Sequence, residues 1–85
     1  MFYVYLLKST SKDFMYIGST NDLKRRFNEH NSKTQKATRS YAPFKLVYYE
    51  AYASKSDAIN REKKLKQFGA SVGHLKNRIR DSLDC

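Results

Sequence analysis

The chain has 85 residues, 40% of them hydrophobic, and carries 17 Lys or Arg against 8 Asp or Glu, for a formal net charge of +9. A chain of this length builds one small core, and its apolar share excludes a disordered polypeptide, so we predict a single domain over residues 1–85. The basic excess attracts polyanions, which makes nucleic acid the leading partner. A basic protein that is merely soluble is the open alternative.

The sequence also bears on disulfide bonds, secretion and membrane insertion. Cys85 is the only cysteine, so the chain has neither an internal disulfide nor a thiolate zinc cluster, and a reducing compartment suits it. Residues 1–8 are apolar but end at a lysine, unlike a signal peptide, and no stretch has the length of a membrane span. We therefore expect a cytoplasmic protein with no membrane partner.

Two strands open the chain. Residues 2–7 and 14–18 are aromatic, aliphatic or β-branched, and the turn-forming residues 9–13 between them predict a β-hairpin. Alternation along the first strand places Tyr3, Tyr5 and Leu7 on one face, and Val4 lies on the other. Both faces of this strand are apolar enough to be covered.

A helix and a third strand follow. Residues 19–22 match a capping box with Ser19 at the N-cap, and Leu23 and Phe27 then form an apolar stripe that ends near His30. Residues 32–43 have no apolar period and predict a solvated basic loop. Phe44–Tyr52 is a β-rich run and predicts the third strand.

Two further helices complete the predicted α+β order β-β-α-β-α-α. Residues 54–57 repeat the capping box, residues 58–68 predict a helix, and Gly69 stands where a left-handed cap is common. Apolar residues recur at helical spacing through the last segment and predict one amphipathic helix. They are Val72, Leu75, Ile79 and Leu83.

Three polar residues stand out against these patterns. Arg26 and His30 are one turn apart beside the apolar stripe of the first helix, where a guanidinium needs an anion. Glu62 lies beside the stripe of the second helix, where a carboxylate needs a cation. A salt bridge to a basic neighbour and a metal ion are both open explanations. The neighbours are Arg61, Lys63 and Lys66.

The ordered set of motifs resembles the GIY-YIG nuclease superfamily, in particular its short stand-alone bacterial members. It comprises Tyr3-Val4-Tyr5, Tyr16-Ile17-Gly18, Arg26 eight positions after the glycine, and a helical Glu62 downstream. The resemblance covers nearly the whole chain and implies a small three-stranded antiparallel sheet flanked by three helices. Tyr3 replaces the first glycine of the name motif, and Ser19 stands where some relatives place a lysine that helps the nucleophilic step.

The resemblance also implies chemistry. It makes Tyr5 and Tyr16 the active-site tyrosines, Arg26 the phosphate-binding arginine, His30 an assisting histidine and Glu62 the ligand of one Mg²⁺ or Mn²⁺ ion. The implied activity is endonucleolytic cleavage of DNA, with repair or recombination as its setting.

Two other classes of function remain open. A non-catalytic module with the same fold would hold nucleic acid through its basic side chains, and a basic scaffold would bind an acidic protein. We expect a monomer or a weak homodimer. The candidate nucleic-acid-binding residues are Lys24, Arg25, Lys33, Lys36, Arg39 and Lys63.

Overall fold

The sheet has three antiparallel strands with the first strand in the centre. The computed structural model describes residues 1–67 and 69–85, and its strands are β1 (Phe2–Ser9), β2 (Met15–Thr20) and β3 (Phe44–Tyr52), in the order β2-β1-β3. Aromatic and β-branched side chains, which suit a pleated surface, are frequent in these strands. Both pairings are antiparallel, so the expected sheet is confirmed.

The central strand is buried on both faces, as its alternation predicts. Val4 and Leu6 point into one core, which we call the Val4 core, and Tyr5 and Leu7 point into the other, which we call the Tyr5 core. The buried members of the Val4 core are Val4, Leu6, Ala58, Leu65, Leu75 and Ile79. The buried members of the Tyr5 core are Tyr5, Leu7 and Phe44, with Leu23 and Phe27 packed against them.

Helices cover both faces of the sheet. The first helix packs on the Tyr5 core and the later helices pack on the Val4 core, so the predicted order of elements is confirmed. Among the described residues, no helix combines the length and the apolar character needed to cross a membrane. The helices are α1 (Leu23–Asn31), a 3-10 turn (Arg39–Tyr41), α2 (Lys55–Gln67), α3 (Gly69–Arg78) and α4 (Arg80–Leu83).

The two predicted helix starts have different outcomes. The capping box at Ser19 is wrong, because Ser19 still belongs to β2 and Asp22 caps α1 by accepting a hydrogen bond from the Arg25 amide at 3.1 Å. The start at Ser54 is confirmed in position: α2 begins at the next residue, and the Ala58 amide donates to the Ser54 carbonyl at 3.3 Å.

Two predicted features at the C-terminal end are also corrected. Gly69 does not form a left-handed cap, because it begins α3 and has no positive φ. The predicted extension of α2 to Phe68 lies outside the described residues. The last helix is divided at Ile79, whose φ of −112° and ψ of 25° leave the helical region while its side chain stays in the Val4 core.

The loop of residues 32–43 is anchored rather than free. Lys33 follows α1 with a φ of 65°, and the amides of Lys33 and Thr34 bond back to the last turn of α1, which forms a left-handed helix end. The Thr38 side chain is fully buried, and Tyr41 stacks on Phe14 with ring centroids 3.8 Å apart. The prediction of a solvated loop is therefore wrong at Thr38 and Tyr41.

Candidate active site

A chain of three hydrogen-bonded side chains lies beneath the candidate site. The Tyr5 hydroxyl lies 3.0 Å from Nε2 of His30, and Nδ1 of His30 lies 2.8 Å from the Thr38 hydroxyl. Tyr5 is only 2% exposed, and His30 and Thr38 are completely buried. These hydrogen bonds join β1 to α1 and to the loop of residues 32–43, and they engage both ring nitrogens of His30.

Burial shifts both ionisable members of this chain toward their neutral forms. It raises the pKa of Tyr5 to about 12, with the Arg26 guanidinium opposing the rise and Tyr16 and Glu62 adding to it. Burial also lowers the pKa of His30, and the positive charge of Arg26 lowers it further against a smaller opposing effect of Glu29. Both side chains are therefore uncharged near neutral pH.

The lowered pKa of His30 predicts a specific loss of stability in mild acid. Unfolded histidine titrates near 6.5, so below that pH the unfolded chain binds a proton that folded His30 resists. The free energy of unfolding should fall from pH 6.5 down to the depressed pKa of His30. Urea unfolding at pH 7.5 and 5.5 measures this loss. Both pH values lie above the ordinary pKa values of carboxyl groups, so the titration of acidic side chains contributes little to the difference.

The control for this experiment is His30→Gln, which removes the titrating ring. Its unfolding free energy should be lower at both pH values but should change less between them. An equal change in the variant and the natural chain would contradict a depressed pKa at His30.

Tyr16 and Gly18 of β2 complete the aromatic part of the site. The Tyr16 ring centroid lies 4.9 Å from that of His30 and 6.3 Å from that of Tyr5, and Tyr16 is half-buried. Gly18 faces Tyr5 across the strand pair, and the Tyr5 ring occupies the space that a Cβ of Gly18 would need. Tyr16 is therefore the tyrosine of the pair that reaches solvent.

Arg26 supplies the positive charge from α1. Its guanidinium Nη1 lies 3.1 Å from Oε1 of Glu29, one turn along the helix, and its side chain is 27% exposed. The same guanidinium lies close enough to Tyr5 to oppose the rise in that phenol's pKa. The sequence predicts that Arg26 needs an anionic partner. In the molecule without ligands, that partner is Glu29.

Glu62 supplies the negative charge from α2. The Ser19 hydroxyl donates to its Oε1 at 2.7 Å, and the Lys66 ammonium lies 2.8 Å from its Oε2. Partial burial acts to raise the pKa of Glu62, but these two contacts outweigh it and hold the pKa below its ordinary value of 4.5. The side chain is therefore ionised at neutral pH, and its resting cation is Lys66.

The remaining basic neighbours of Glu62 are engaged elsewhere or exposed. Arg61 donates from Nε to both carboxylate oxygens of Glu50 at 3.1 Å, and the hydroxyls of Tyr48 and Tyr52 donate to the same carboxylate. Lys63 is exposed on α2. Of the three salt-bridge partners that the sequence offers, the structure selects Lys66.

The groups of the site meet around the edge of β2. Arg26 comes from the helix on the Tyr5 core and Glu62 from the helix on the Val4 core, yet both charges act on the pKa of Tyr5. Lys66 pairs with Glu62 and lies 5.6 Å from the centroid of the Tyr16 ring. Two clefts lie next to these groups, one beside Ser19 and one along α1.

The predicted nucleic-acid-binding residues are all exposed, and they come from α1, the loop of residues 32–43 and α2. Lys24 and Arg25 line the same shallow cleft along α1. Lys33, Lys36 and Arg39 lie on the loop that follows. The sixth candidate, Lys63, lies on the exposed face of α2.

Three residues of the site differ in how far the sequence predicts their contacts. Thr38 lies in a segment without apolar period, so its burial against His30 has no local signature. Ser19 is assigned to a helix cap by its pattern but contacts Glu62 instead. Lys66 has a usable signal, since a glutamate four residues before a lysine is a favoured helical pair.

Known proteins share sequence with this chain. The family model described as the GIY-YIG catalytic domain matches residues 1–80. A UPF0213 protein of Streptococcus agalactiae serotype V is 46% identical over 66 residues, which cover 76% of this chain and 74% of that protein. A UPF0213 protein of Haloquadratum walsbyi is 37% identical over 67 residues, covering 78% and 74%.

A solved structure is similar along almost the whole chain. The solution NMR structure of a UPF0213 protein from Bacillus halodurans has a TM-score of 0.56 and 32% sequence identity. The match covers 98% of this chain and 94% of that chain.

Proposed function

This chain belongs to the GIY-YIG nuclease family, and on that premise we propose that it is a divalent-metal-dependent endonuclease that hydrolyses phosphodiester bonds in DNA. One observation carries the proposal: the Tyr16 ring lies 4.9 Å from the His30 ring and 5.6 Å from the ammonium of Lys66, which pairs with Glu62. We place the activity in cytoplasmic DNA repair or recombination.

The chemistry of Glu62 fits one Mg²⁺ or Mn²⁺ ion. Its carboxylate is ionised at neutral pH and stands beside the Ser19 hydroxyl. Mg²⁺ is commonly bound by one or two protein carboxylates, while waters and substrate phosphates supply the other oxygens. Bound there, the ion would supply Lewis-acid stabilisation of negative charge on the phosphate oxygens.

Arg26 binds the scissile phosphate in this proposal. A guanidinium offers paired N–H donors that match two phosphate oxygens, and it stays charged at any pH of interest. Arg26 leaves Glu29 to make this contact, since the exposed partner of an ion pair one helical turn away is easily exchanged. The negative charge that develops on the phosphate in the transition state strengthens the contact.

Tyr16 is the proton acceptor in this proposal, and Tyr5 positions it. The Tyr5 hydroxyl is buried against His30 and its pKa is about 12, which makes it a poor base in the resting molecule. Tyr16 is half-buried and lies beside the Lys66 ammonium, so it is the tyrosine of the pair that water and substrate reach. The hydrogen bond from Tyr5 fixes the position of the His30 ring, against which the Tyr16 ring packs.

Nicking of supercoiled plasmid in the presence of Mg²⁺ or Mn²⁺ tests the proposed activity. We expect nicking that a chelator blocks and that Glu62→Gln abolishes, because the amide keeps the shape of the side chain but loses its charge. Asp57→Asn is the matched control, since it neutralises an exposed carboxylate on the same helix and should nick normally. Nicking by Glu62→Gln at the natural rate would exclude this site.

The alternative is a non-catalytic module that binds nucleic acid. The net charge of +9 and the six exposed basic candidates favour binding in either case. The module would bind DNA with an affinity that falls as salt rises but would leave the plasmid intact with either metal. Affinity that does not fall with salt would instead indicate a scaffold for an acidic protein.

A further inference from the structure

We propose that Lys66 competes with the divalent cation for Glu62, so that the metal binds by displacing the Lys66 ammonium group. The inference rests on the proposed function in one respect, the role of Glu62 as metal ligand. Each oxygen of that carboxylate already has a partner, Oε1 the Ser19 hydroxyl at 2.7 Å and Oε2 the Lys66 ammonium at 2.8 Å. A divalent cation that binds Oε2 meets the positive charge of that ammonium at contact distance, and the repulsion between the two cations favours displacement of the lysine.

The position of Lys66 suits such an exchange. It lies one turn beyond Glu62 on α2, in the orientation that favours a helical ion pair, so the ammonium returns whenever the metal leaves. The Lys66 side chain is 47% exposed, against 21% for Glu62, so the lysine moves while the carboxylate stays in place. The mobile partner is thus the one that the metal must displace.

The displaced ammonium has a second resting place within the site. Its Nζ already lies 5.6 Å from the centroid of the Tyr16 ring, where a cation is attracted by the ring face. With the metal bound, the site would then hold Lys66, Arg26 and a divalent ion around one carboxylate. Such an excess of positive charge favours an anion, so the metal and a substrate phosphate should strengthen each other's binding.

The resting molecule shows the complementary arrangement. Glu62 is neutralised by Lys66, and Arg26 is neutralised by Glu29, each one helical turn away. The site without ligands therefore carries little net charge of its own, although the chain carries +9. Lys66 makes the carboxylate a weak site for a free metal ion, because binding the ion means giving up an ion pair.

The test is a titration of ¹⁵N-labelled protein with MnCl₂, followed by paramagnetic broadening of the amide signals of Ser19 and Glu62. We expect Lys66→Met to bind Mn²⁺ about threefold more tightly than the natural chain, the gain expected when a competing partly exposed ion pair is removed. Lys66→Arg should restore the natural affinity, because it restores the competing cation.

Lys64→Met is the matched control, since it removes an exposed positive charge from the same helix without touching Glu62. An equal gain in Lys64→Met and Lys66→Met would overturn the inference in favour of a general effect of charge. If Lys66→Met binds Mn²⁺ with unchanged or lower affinity and Glu62→Gln loses the broadening, Glu62 is a metal ligand but Lys66 does not compete with the metal. If Glu62→Gln keeps the broadening, Glu62 is not the metal ligand, and competition by Lys66 is contradicted as well.

Discussion

Arg26→Ala should abolish cleavage of DNA while leaving most of the binding affinity in place. In the proposed mechanism Arg26 meets charge that develops in the transition state, and removing one such donor costs about 10²–10³-fold in rate. Binding should persist because many exposed lysines and arginines share the contacts to other phosphates. Single-turnover cleavage and fluorescence anisotropy on the same oligonucleotide separate the two quantities.

Arg25→Ala is the control for this result, because Arg25 is the exposed neighbour of Arg26 on α1. It should show the opposite pattern, with weaker binding but near-normal cleavage once the substrate is saturating. If Arg26→Ala loses binding and cleavage in equal proportion, Arg26 is a phosphate anchor without a special role in the transition state.

Gly18→Ala should destabilise the whole fold. The added Cβ would lie 2.6 Å from Cζ of Tyr5 and 3.0 Å from Cε2 of Tyr16, and it would also meet the Tyr5 hydroxyl. Tyr5 is buried and hydrogen-bonded to His30, so its ring has little room to retreat. Overpacking of this kind costs about 1–3 kcal/mol and occasionally more, which chemical denaturation would measure.

Gly73→Ala is the matched control, because an added Cβ there meets nothing within 4 Å and lies in the exposed middle of α3. It should stabilise the chain by roughly 0.5–1 kcal/mol through helix propensity. Adding Tyr5→Phe to Gly18→Ala removes the hydroxyl nearest to the new methyl, so the double variant should lose less than the sum of the single losses. Strict additivity would contradict a clash with the Tyr5 hydroxyl.

Much of the fold follows from local patterns in the sequence. Alternation in β1 predicts which side chains enter each core, because a strand has a period of two and both faces of this one are covered. The spacing of Val72, Leu75 and Ile79 correctly predicts the buried side of the last segment. It misses the break at Ile79, since a break in backbone angle does not move the apolar stripe.

The contacts of the candidate site depend on tertiary structure, which local patterns do not contain. Ser19 matches a capping box, yet it pairs with a residue 43 positions away. The family resemblance supplies Tyr5, Tyr16, Arg26 and Glu62 as candidates, whose roles remain predictions.

The edge position of β2 bears on how copies of this protein associate. β2 pairs with β1 on one side only, and a strand edge left open commonly recruits another strand. A second molecule added along β2 would lie beside the edge around which the groups of the candidate site are placed. Under the proposed function, pairing of two molecules along this edge would restrict access to the site, and we expect an active dimer to use another surface.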